Sequence, residues 1–151
     1  MSTRRLLRIP VPWVFVLAYV IGALLELWIP LRLQPPWIPW IGGALLLAGA
    51  VMAGSSLGLF RKARTTTVPG EISSTLLTEG PYHLTRNPMY VGLTLAYLGE
   101  AGILRQIWPV VCLPLVLAYL NWVVVPLEET RLEQAFGDTY IRYRSKVRRW
   151  I

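Results

Sequence analysis

The sequence predicts an all-α integral membrane protein with four transmembrane helices and a short amphipathic C-terminal helical segment. Three observations predict this fold class. The 151-residue chain is 54% hydrophobic and only 15% charged, whereas an ordinary soluble domain is about one quarter charged. Its apolar residues are concentrated in long segments. Its basic residues lie almost entirely in the polar stretches before, between and after those segments.

The apolar segments are the predicted spans, at residues 11–29, 37–60, 89–104 and 107–127. A helix needs roughly 20 apolar residues to cross a bilayer, so the third segment is short and depends on its flanks. Four segments that are apolar all round cannot be hidden inside a single soluble core of this size. We therefore treat residues 1–151 as one membrane domain, with a polar loop at 61–87 and a polar tail at 128–151.

The distribution of basic residues predicts the orientation. Of the 15 lysines and arginines, 13 lie before the first span, in the 61–87 loop or in the tail. This asymmetry follows the positive-inside rule and predicts that these three regions are cytoplasmic. Because topology accounts for the net charge of +7, we expect no nucleic-acid partner. The compact chain favours a prokaryotic inner membrane.

Each predicted span has a plausible start and packing face. Prolines at 10 and 12 suit the beginning of the first helix, and Trp37 and Trp40 suit the membrane interface before the second. Small residues in the second span permit close helix contact: Gly42, Gly43, Ala50, Ala53 and Gly54.

The later elements are predicted in the same way. Pro114 and Pro126 should disturb the fourth helix. In the tail, Gly137 should stop one short helix and Asp138 should cap the next. The basic, aromatic-bearing tail suits an anionic membrane surface.

The remaining polar residues of the spans have structural interpretations. Glu26 and Glu100 lie near Arg32 and Arg105, and we expect them to pair there. Cys112, the only cysteine, is expected to serve packing. With one cysteine and one histidine, the chain predicts no disulfide framework and no metal site.

The start of the third helix carries the best candidate for chemistry. Asn87 suits the cap and Pro88 the first turn, so free N–H groups should face the cytoplasm and attract an anion. Arg86 adds positive charge beside them. Tyr82 and Tyr90 could shape a pocket for a flat ring. The carboxylates of Glu128 and Glu129 emerge on the same side. Spacing alone also allows structural roles: a topology anchor for Arg86, interface positions for the two tyrosines, and pairing with Arg131 or a solvated helix start for the two glutamates.

Two separated motifs resemble the isoprenylcysteine carboxyl methyltransferase and phospholipid methyltransferase family. The family pattern is Gly-x-Tyr, then Arg-His-Pro-x-Tyr-x-Gly at the start of a membrane helix, and later Glu-Glu, Phe-Gly and Tyr-x-x-Tyr. This chain supplies Gly80, Tyr82, Arg86, Pro88, Tyr90, Gly92, Glu128, Glu129, Phe136, Gly137, Tyr140 and Tyr143. The resemblance covers roughly residues 61–151.

The resemblance implies a methyltransferase that uses S-adenosyl-L-methionine at the cytoplasmic membrane face. The residues implied to contact this cofactor are Thr67, Ser74, Thr75, Leu76, Leu77, Tyr82, Asn87, Pro88, Met89, Tyr90 and Glu128. Arg86 and Glu129 are candidate catalytic residues.

The chain departs from the family pattern at two positions. Asn87 replaces the histidine before proline, and it can still cap and form hydrogen bonds. Val124 stands where prenylcysteine enzymes carry a substrate-contacting arginine, which argues against a prenylated protein. The expected acceptor is a lipid or small amphipathic molecule that enters from the bilayer.

Two other functions remain open from the sequence. A membrane reductase of the sterol-reductase type would bind NADPH in a comparable place, although its phosphates call for more arginines near the loop. A non-catalytic membrane protein could keep the same fold for packing or partner contact. Ligand binding distinguishes the three interpretations.

Overall fold

The computed structural model describes residues 10–63 and 75–151, and the regular structure of these residues is helical apart from one isolated bridge between Arg32 and Gln106. In chain order the elements are α1 (Val11–Trp28), α2 (Ile38–Lys62), a 3₁₀ turn (Gly80–His83), α3 (Pro88–Ile103), α4 (Trp108–Tyr119), a π turn (Leu120–Val124), α5 (Val125–Phe136) and α6 (Asp138–Lys146). We call the end at which α3 begins, formed by residues 80–90 and 126–151, the basic end.

Among the described residues, three helices are long and apolar enough to cross a membrane. They are α1, α2 and the continuous rod Trp108–Phe136, which comprises α4, the π turn and α5. α3 has 16 residues, and at 1.5 Å per residue it rises about 24 Å, less than the roughly 30 Å of a hydrocarbon core. The all-helical membrane fold is therefore confirmed with three candidate spans, and the fourth span stays a prediction.

α2 and α3 pack as an antiparallel pair at nearly backbone contact. A Cβ atom placed on Gly49 would lie 2.5 Å from Gly92 O, and one on Gly99 would lie 2.7 Å from Gly42 O. These glycines recur every seven residues on each helix, so both sets face the partner helix. Small residues at a membrane helix interface allow the backbones to approach this closely.

The predicted small-residue face of the second span is only partly correct. Gly42 and Ala53 do contact α3, but Gly43 and Gly54 have nothing within 4 Å of an added Cβ. Ala50 is exposed. The contacting face follows the seven-residue spacing of Gly42, Gly49 and Ser56, because those positions lie on one side of the helix.

α1 packs against α4, and both contact the inner part of α3. The backbone of α4 approaches α1 at Gly22, where an added Cβ would lie 2.5 Å from the nitrogen of Pro109. Nearer the basic end, buried residues form one apolar cluster: Val11, Phe15, Tyr90, Tyr97, Leu113, Val116, Leu120, Val124 and Val125. This cluster lies directly beneath the start of α3 and connects the helices to the site described below.

The predicted pairing of the acids at the opposite end is wrong. No ion pair in the described ranges involves Glu26, Glu100, Arg32 or Arg105. Both carboxyl oxygens of Glu26 are buried without a hydrogen-bond partner there, and Glu100 is exposed. Neutral hydrogen bonds tie this end together instead: Tyr19 OH donates to Gln106 Oε1 at 3.0 Å, and Trp108 Nε1 donates to Ile29 O at 2.7 Å.

The predicted disturbance at Pro126 takes the form of a π turn just before it. Val125 N–H donates to Leu120 O, five residues back, and Pro126 has no N–H to donate. The helix nevertheless continues to Phe136, so the predicted boundary of the fourth span at residue 127 does not mark a break. A π turn rotates the following residues around the helix axis, and such turns are often found at functional sites.

Gly137 separates α5 from α6, as predicted. Its φ of +50° lies in a region that side chains rarely adopt, which explains why a glycine ends the helix here. Asp138 is the first helical residue of α6 rather than its cap, and no side-chain capping bond forms. The turn directs α6 back so that Tyr140 is buried against the bundle.

We expect Gly99→Ala to destabilise the protein by about 1–3 kcal/mol, because the new methyl group would overlap the α2 backbone. Gly54→Ala is the matched control, since its methyl group meets open space. It should change stability by less than about 0.5 kcal/mol. Thermal unfolding in detergent measures both, and equal stability of the two variants would contradict the described helix contact.

Candidate functional site

Two backbone N–H groups at the start of α3 precede the first hydrogen bond of the helix. Pro88 occupies the first helical position, as predicted. The first helical hydrogen bond at this end runs from Val91 N–H to Asn87 O at 3.1 Å, so the N–H groups of Met89 and Tyr90 precede it. Such N–H groups carry the positive end of the helix dipole and attract anions.

Asn87 has a different role from the predicted side-chain cap. It occupies the cap position, but its side chain makes no capping bond. Its Nδ2 donates instead to Arg149 O at 2.9 Å, and its backbone N–H donates to Thr85 Oγ1 at 3.2 Å. The side chain is turned away because a second segment of the chain supplies an acceptor.

A phenol and a carboxylate meet beside this helix start. Tyr90 OH donates to Glu128 Oε1 at 2.5 Å and joins the first turn of α3 to the first turn of α5. Tyr90 is only 4% exposed, whereas Glu128 is half-buried. The second oxygen of Glu128 has no hydrogen-bond partner among the described residues. A carboxylate held through one oxygen can therefore accept hydrogen bonds from a ligand through the other.

Tyr82 provides an aromatic wall close to this pair. Its buried ring packs edge-on against Phe60 of α2, with centroids 6.2 Å apart. Burial raises the pKa of Tyr82, and the neighbouring Tyr143 and Glu128 raise it further. The phenol therefore stays protonated and can act as a donor near Glu128.

α6 holds the 3₁₀ turn in place. Tyr143 OH donates to Tyr82 O at 2.8 Å. Partial burial raises the pKa of Tyr143 to about 12, so this donor keeps its proton across the physiological range. The Tyr-x-x-Tyr motif thus brings Tyr140 and Tyr143 onto the face of α6 that meets the site, since residues three apart lie on one side of a helix.

Behind the site lies an ion triad, Arg86–Glu129–Arg149, in which Arg86 and Glu129 are buried and Arg149 is partly exposed. Arg86 Nη1 lies 2.9 Å from Glu129 Oε1, and both side chains are about nine-tenths buried, with 11% and 10% exposure. Arg149 adds a bidentate contact, with Nη2 to Oε2 at 2.6 Å and Nε to Oε1 at 3.0 Å. The planar guanidinium matches the carboxylate geometry, which makes such pairs strong and specific.

The triad is surrounded by further hydrogen bonds. Arg86 Nη1 also donates to Tyr140 OH at 3.2 Å, while its Nε is buried without a partner within the described part of the chain. Burial raises the pKa of Tyr140. The hydrogen bond to Glu129 raises the pKa of Arg149. The Arg149 guanidinium therefore stays charged at neutral pH.

The structure brings some predicted site residues together and separates others. Tyr82, Tyr90 and Glu128 meet beside the helix start formed by Pro88 and Met89. The two candidate catalytic residues, Arg86 and Glu129, pair with each other instead of facing the same space as Glu128. Consecutive helical residues point about 100° apart, so Glu128 and Glu129 have different neighbours.

The other predicted contacts lie in or next to the polar loop. Thr75 is exposed and Leu76 and Leu77 are half-buried, and no described hydrogen bond joins them to the Tyr90–Glu128 pair. Thr67 and Ser74 lie outside the described residues. The contributions of this stretch to a ligand site remain predictions.

Sequence reasoning missed the contribution of the last residues of the chain. The sequence indicates Arg149 only as a basic residue, and it gives no signal for Thr85 or Asn121. Trp150 Nε1 donates to Asn121 Oδ1 at 3.0 Å, and Thr85 Oγ1 donates to Arg149 O at 2.9 Å. No local sequence pattern predicts these two contacts, because the paired residues are 29 and 64 positions apart in the chain. In the described ranges, no group of three or more His, Cys, Asp or Glu residues could hold a metal ion.

The sequence of this chain matches a known family. The model of the phospholipid methyltransferase family matches residues 37–139, which include α2, α3, α4, α5 and the Tyr90–Glu128 pair. The chain belongs to this family. The resemblance seen in the sequence is thereby confirmed, and the apolar helices and the family together indicate an integral membrane protein.

Two individual relatives are similar to shorter parts of the chain than the family model matches. The chain is 31% identical to the cobalt-zinc-cadmium resistance protein CzcN of Cupriavidus metallidurans over 100 residues, which are 66% of this chain and 45% of that protein. It is 53% identical to an uncharacterized protein of Haemophilus influenzae over 32 residues, which are 21% of this chain and 51% of that protein. The chain thus spans less than half of the first relative and about half of the second. No solved structure matches.

We expect Glu129→Ala to cost about 3–5 kcal/mol of stability, because it leaves the buried guanidinium of Arg86 without its carboxylate. Glu133→Ala is the control, because Glu133 pairs with Arg144 where the side chains are 46% and 49% exposed. Removing that surface pair should cost no more than about 1 kcal/mol. Unfolding midpoints in detergent report the difference, and similar losses for both variants would argue against a buried triad.

Proposed function

We propose that the protein transfers a methyl group from S-adenosyl-L-methionine to a lipid or small amphipathic acceptor at the cytoplasmic membrane face. The observation that carries this proposal is the Tyr90–Glu128 pair beside the open N–H groups of α3. Membership of a methyltransferase family supplies the reaction class. The pair supplies a polar site at the edge of an apolar helix bundle, where a polar donor and a lipid acceptor can meet.

The residues present fit the proposed cofactor. Glu128 offers a carboxylate oxygen to hydroxyl or amino groups, and the N–H groups of Met89 and Tyr90 suit a carboxylate. Tyr82 offers a buried aromatic surface. Asn87 and Pro88 would act by fixing the helix start. We propose that Thr67, Ser74, Thr75, Leu76 and Leu77 complete the site from the polar loop.

A bound S-adenosylmethionine supplies an electrophilic methyl group on a sulfonium. The chain's own residues have to orient the two reactants in line and exclude water. Tyr90 is buried in the apolar cluster and donates a hydrogen bond to Glu128. These contacts fix the orientation of the Glu128 carboxylate, which would hold the cofactor. An acceptor carboxylate needs no general base, whereas an amine must first lose a proton. His83, the only histidine, is exposed in the 3₁₀ turn.

The surroundings of Val124 support an uncharged or lipid-like acceptor. Val124 is 4% exposed and belongs to the buried cluster that includes Tyr90 and Val125. Because the described members of this cluster are apolar, a carboxylate among them would be costly to desolvate. We therefore propose that the acceptor enters from the bilayer and does not resemble a prenylated cysteine.

The proposed setting is a prokaryotic inner membrane with both chain ends in the cytoplasm. The distribution of basic residues supports this orientation. In this setting α3 is a fourth, short span. α3 packs antiparallel to α2 along the stretch of α2 between Gly42 and Ala53. The bilayer and the acceptor lipid are then the partners of the protein.

Calorimetric titration of the detergent-purified protein with S-adenosylhomocysteine tests the proposal, with NADPH as the control ligand. We expect saturable binding of S-adenosylhomocysteine and none of NADPH. Tyr90→Phe should weaken binding roughly tenfold, because a charge-assisted hydrogen bond that orients Glu128 is lost. Glu128→Ala should abolish binding.

Glu133→Ala is the matched control for Glu128→Ala, because it removes an exposed carboxylate from the same helix. It should bind S-adenosylhomocysteine like the unaltered protein. Binding of NADPH alone would favour the reductase alternative. Folded protein that binds neither ligand would favour a non-catalytic role, and normal binding by Glu128→Ala would overturn the site assignment.

A further inference from the structure

Three successive residues near the end of the chain, 148–150, contact three different parts of the bundle. Arg148 O accepts from Arg86 N–H at 2.9 Å. Arg149 O accepts from Thr85 Oγ1 and from Asn87 Nδ2, both at 2.9 Å. We call residues 148–150 the clamp. It has no regular secondary structure of its own, so these long-range bonds define its position.

The clamp also reaches the rod formed by α4 and α5. The Arg149 guanidinium makes its bidentate contact with Glu129, and Trp150 Nε1 donates to Asn121 in the π turn. The Trp150 ring packs against the buried apolar cluster. One short segment therefore connects the start of α3 to both α5 and the π turn.

Two of the residues that the clamp contacts are adjacent in sequence to residues of the candidate site. Asn87 precedes the Pro88–Met89–Tyr90 turn, and Glu129 follows Glu128. The Tyr90–Glu128 hydrogen bond joins α3 to α5. The clamp joins the same two helices through Asn87 and Glu129. A shift of about 1 Å between α3 and α5 would break a 2.5 Å contact of this kind, and displacements of that size can cost roughly a hundredfold in rate.

We propose that the clamp sets the spacing of α3 and α5, and that Arg149 and Trp150 are positioning residues for the methyltransferase site. They act through the Tyr90–Glu128 pair without touching a ligand. This inference rests on the proposed function for its effect on cofactor binding. Its mechanical part, the immobilisation of the α3 start, does not depend on which ligand the site takes.

Arg149→Gln and Trp150→Phe are the test variants. Arg149→Gln removes both guanidinium contacts but keeps the backbone acceptor and leaves Glu129 paired with Arg86. Trp150→Phe keeps a ring in the cluster and removes one N–H donor. Arg142→Gln is the control, since it removes an exposed arginine of α6 and changes the net charge by the same amount as Arg149→Gln. Folding of each purified variant is checked by helical circular dichroism and gel filtration.

The first readout is amide hydrogen exchange without ligand. We expect peptides covering residues 85–91 to exchange roughly tenfold faster in Arg149→Gln. Without the contacts to Glu129 the clamp is less firmly held, so its backbone bonds to residues 85–87 open more easily. Peptides from the middle of α2 should be unchanged. Trp150→Phe should have a smaller effect of the same kind, and Arg142→Gln none. Unchanged exchange at 85–91 in both test variants would overturn the clamp, whatever the site binds.

The second readout is a double-mutant cycle on the affinity for S-adenosylhomocysteine. Arg149→Gln alone should weaken binding roughly tenfold, but it should add little in a Tyr90→Phe background, because coupled residues are not additive. A general loss of stability would instead lower affinity equally in both backgrounds, and that result would overturn the positioning role. If the unaltered protein bound no S-adenosylhomocysteine, the proposed function would fail, and the exchange result would still decide the clamp.

Discussion

The Arg86–Glu129–Arg149 triad is the interaction on which the basic end of the molecule depends. It joins the segment before α3, the first turn of α5 and residues 148–150, which are distant in sequence. Burying the charges of Arg86 and Glu129 is costly unless they are paired and hydrogen-bonded, and here each oxygen of the Glu129 carboxylate contacts a guanidinium. The triad therefore imposes one arrangement on these segments. The glycine contacts of α2 and α3 fix the other side of the same helix start.

The two adjacent carboxylates, Glu128 and Glu129, have different partners and different roles. Glu129 is held inside the triad and orders the protein, whereas Glu128 is turned toward Tyr90 and keeps one oxygen available within the described surroundings. The π turn before Pro126 contributes to this division, because it sets the rotation of α5 about its axis. The family's Glu-Glu motif can thus be understood as one structural residue and one residue for ligand binding, with the second role belonging to our proposal.

The sequence predicts most of the fold but only half of the site's architecture. Long apolar segments and proline positions locate the helices because these signals are local, and the motif around Pro88 locates the helix start for the same reason. The pairing of Arg86 with Glu129 and the course of residues 148–150 depend on tertiary contacts across dozens of residues, which no local pattern encodes. Local patterns can also mislead. Glu26 is close to Arg32 in sequence, which suggests an ion pair, but helix α1 directs the Glu26 side chain inward.

Transfer of a labelled methyl group tests the central claim most directly. The protein is reconstituted in vesicles made from a bacterial lipid extract and incubated with S-adenosylmethionine that carries a tritiated methyl group. The account predicts label in the organic phase with the unaltered protein and Arg142→Gln, and none with Glu128→Ala. Protein that binds S-adenosylhomocysteine but labels no lipid-phase molecule would contradict a lipid or amphipathic acceptor.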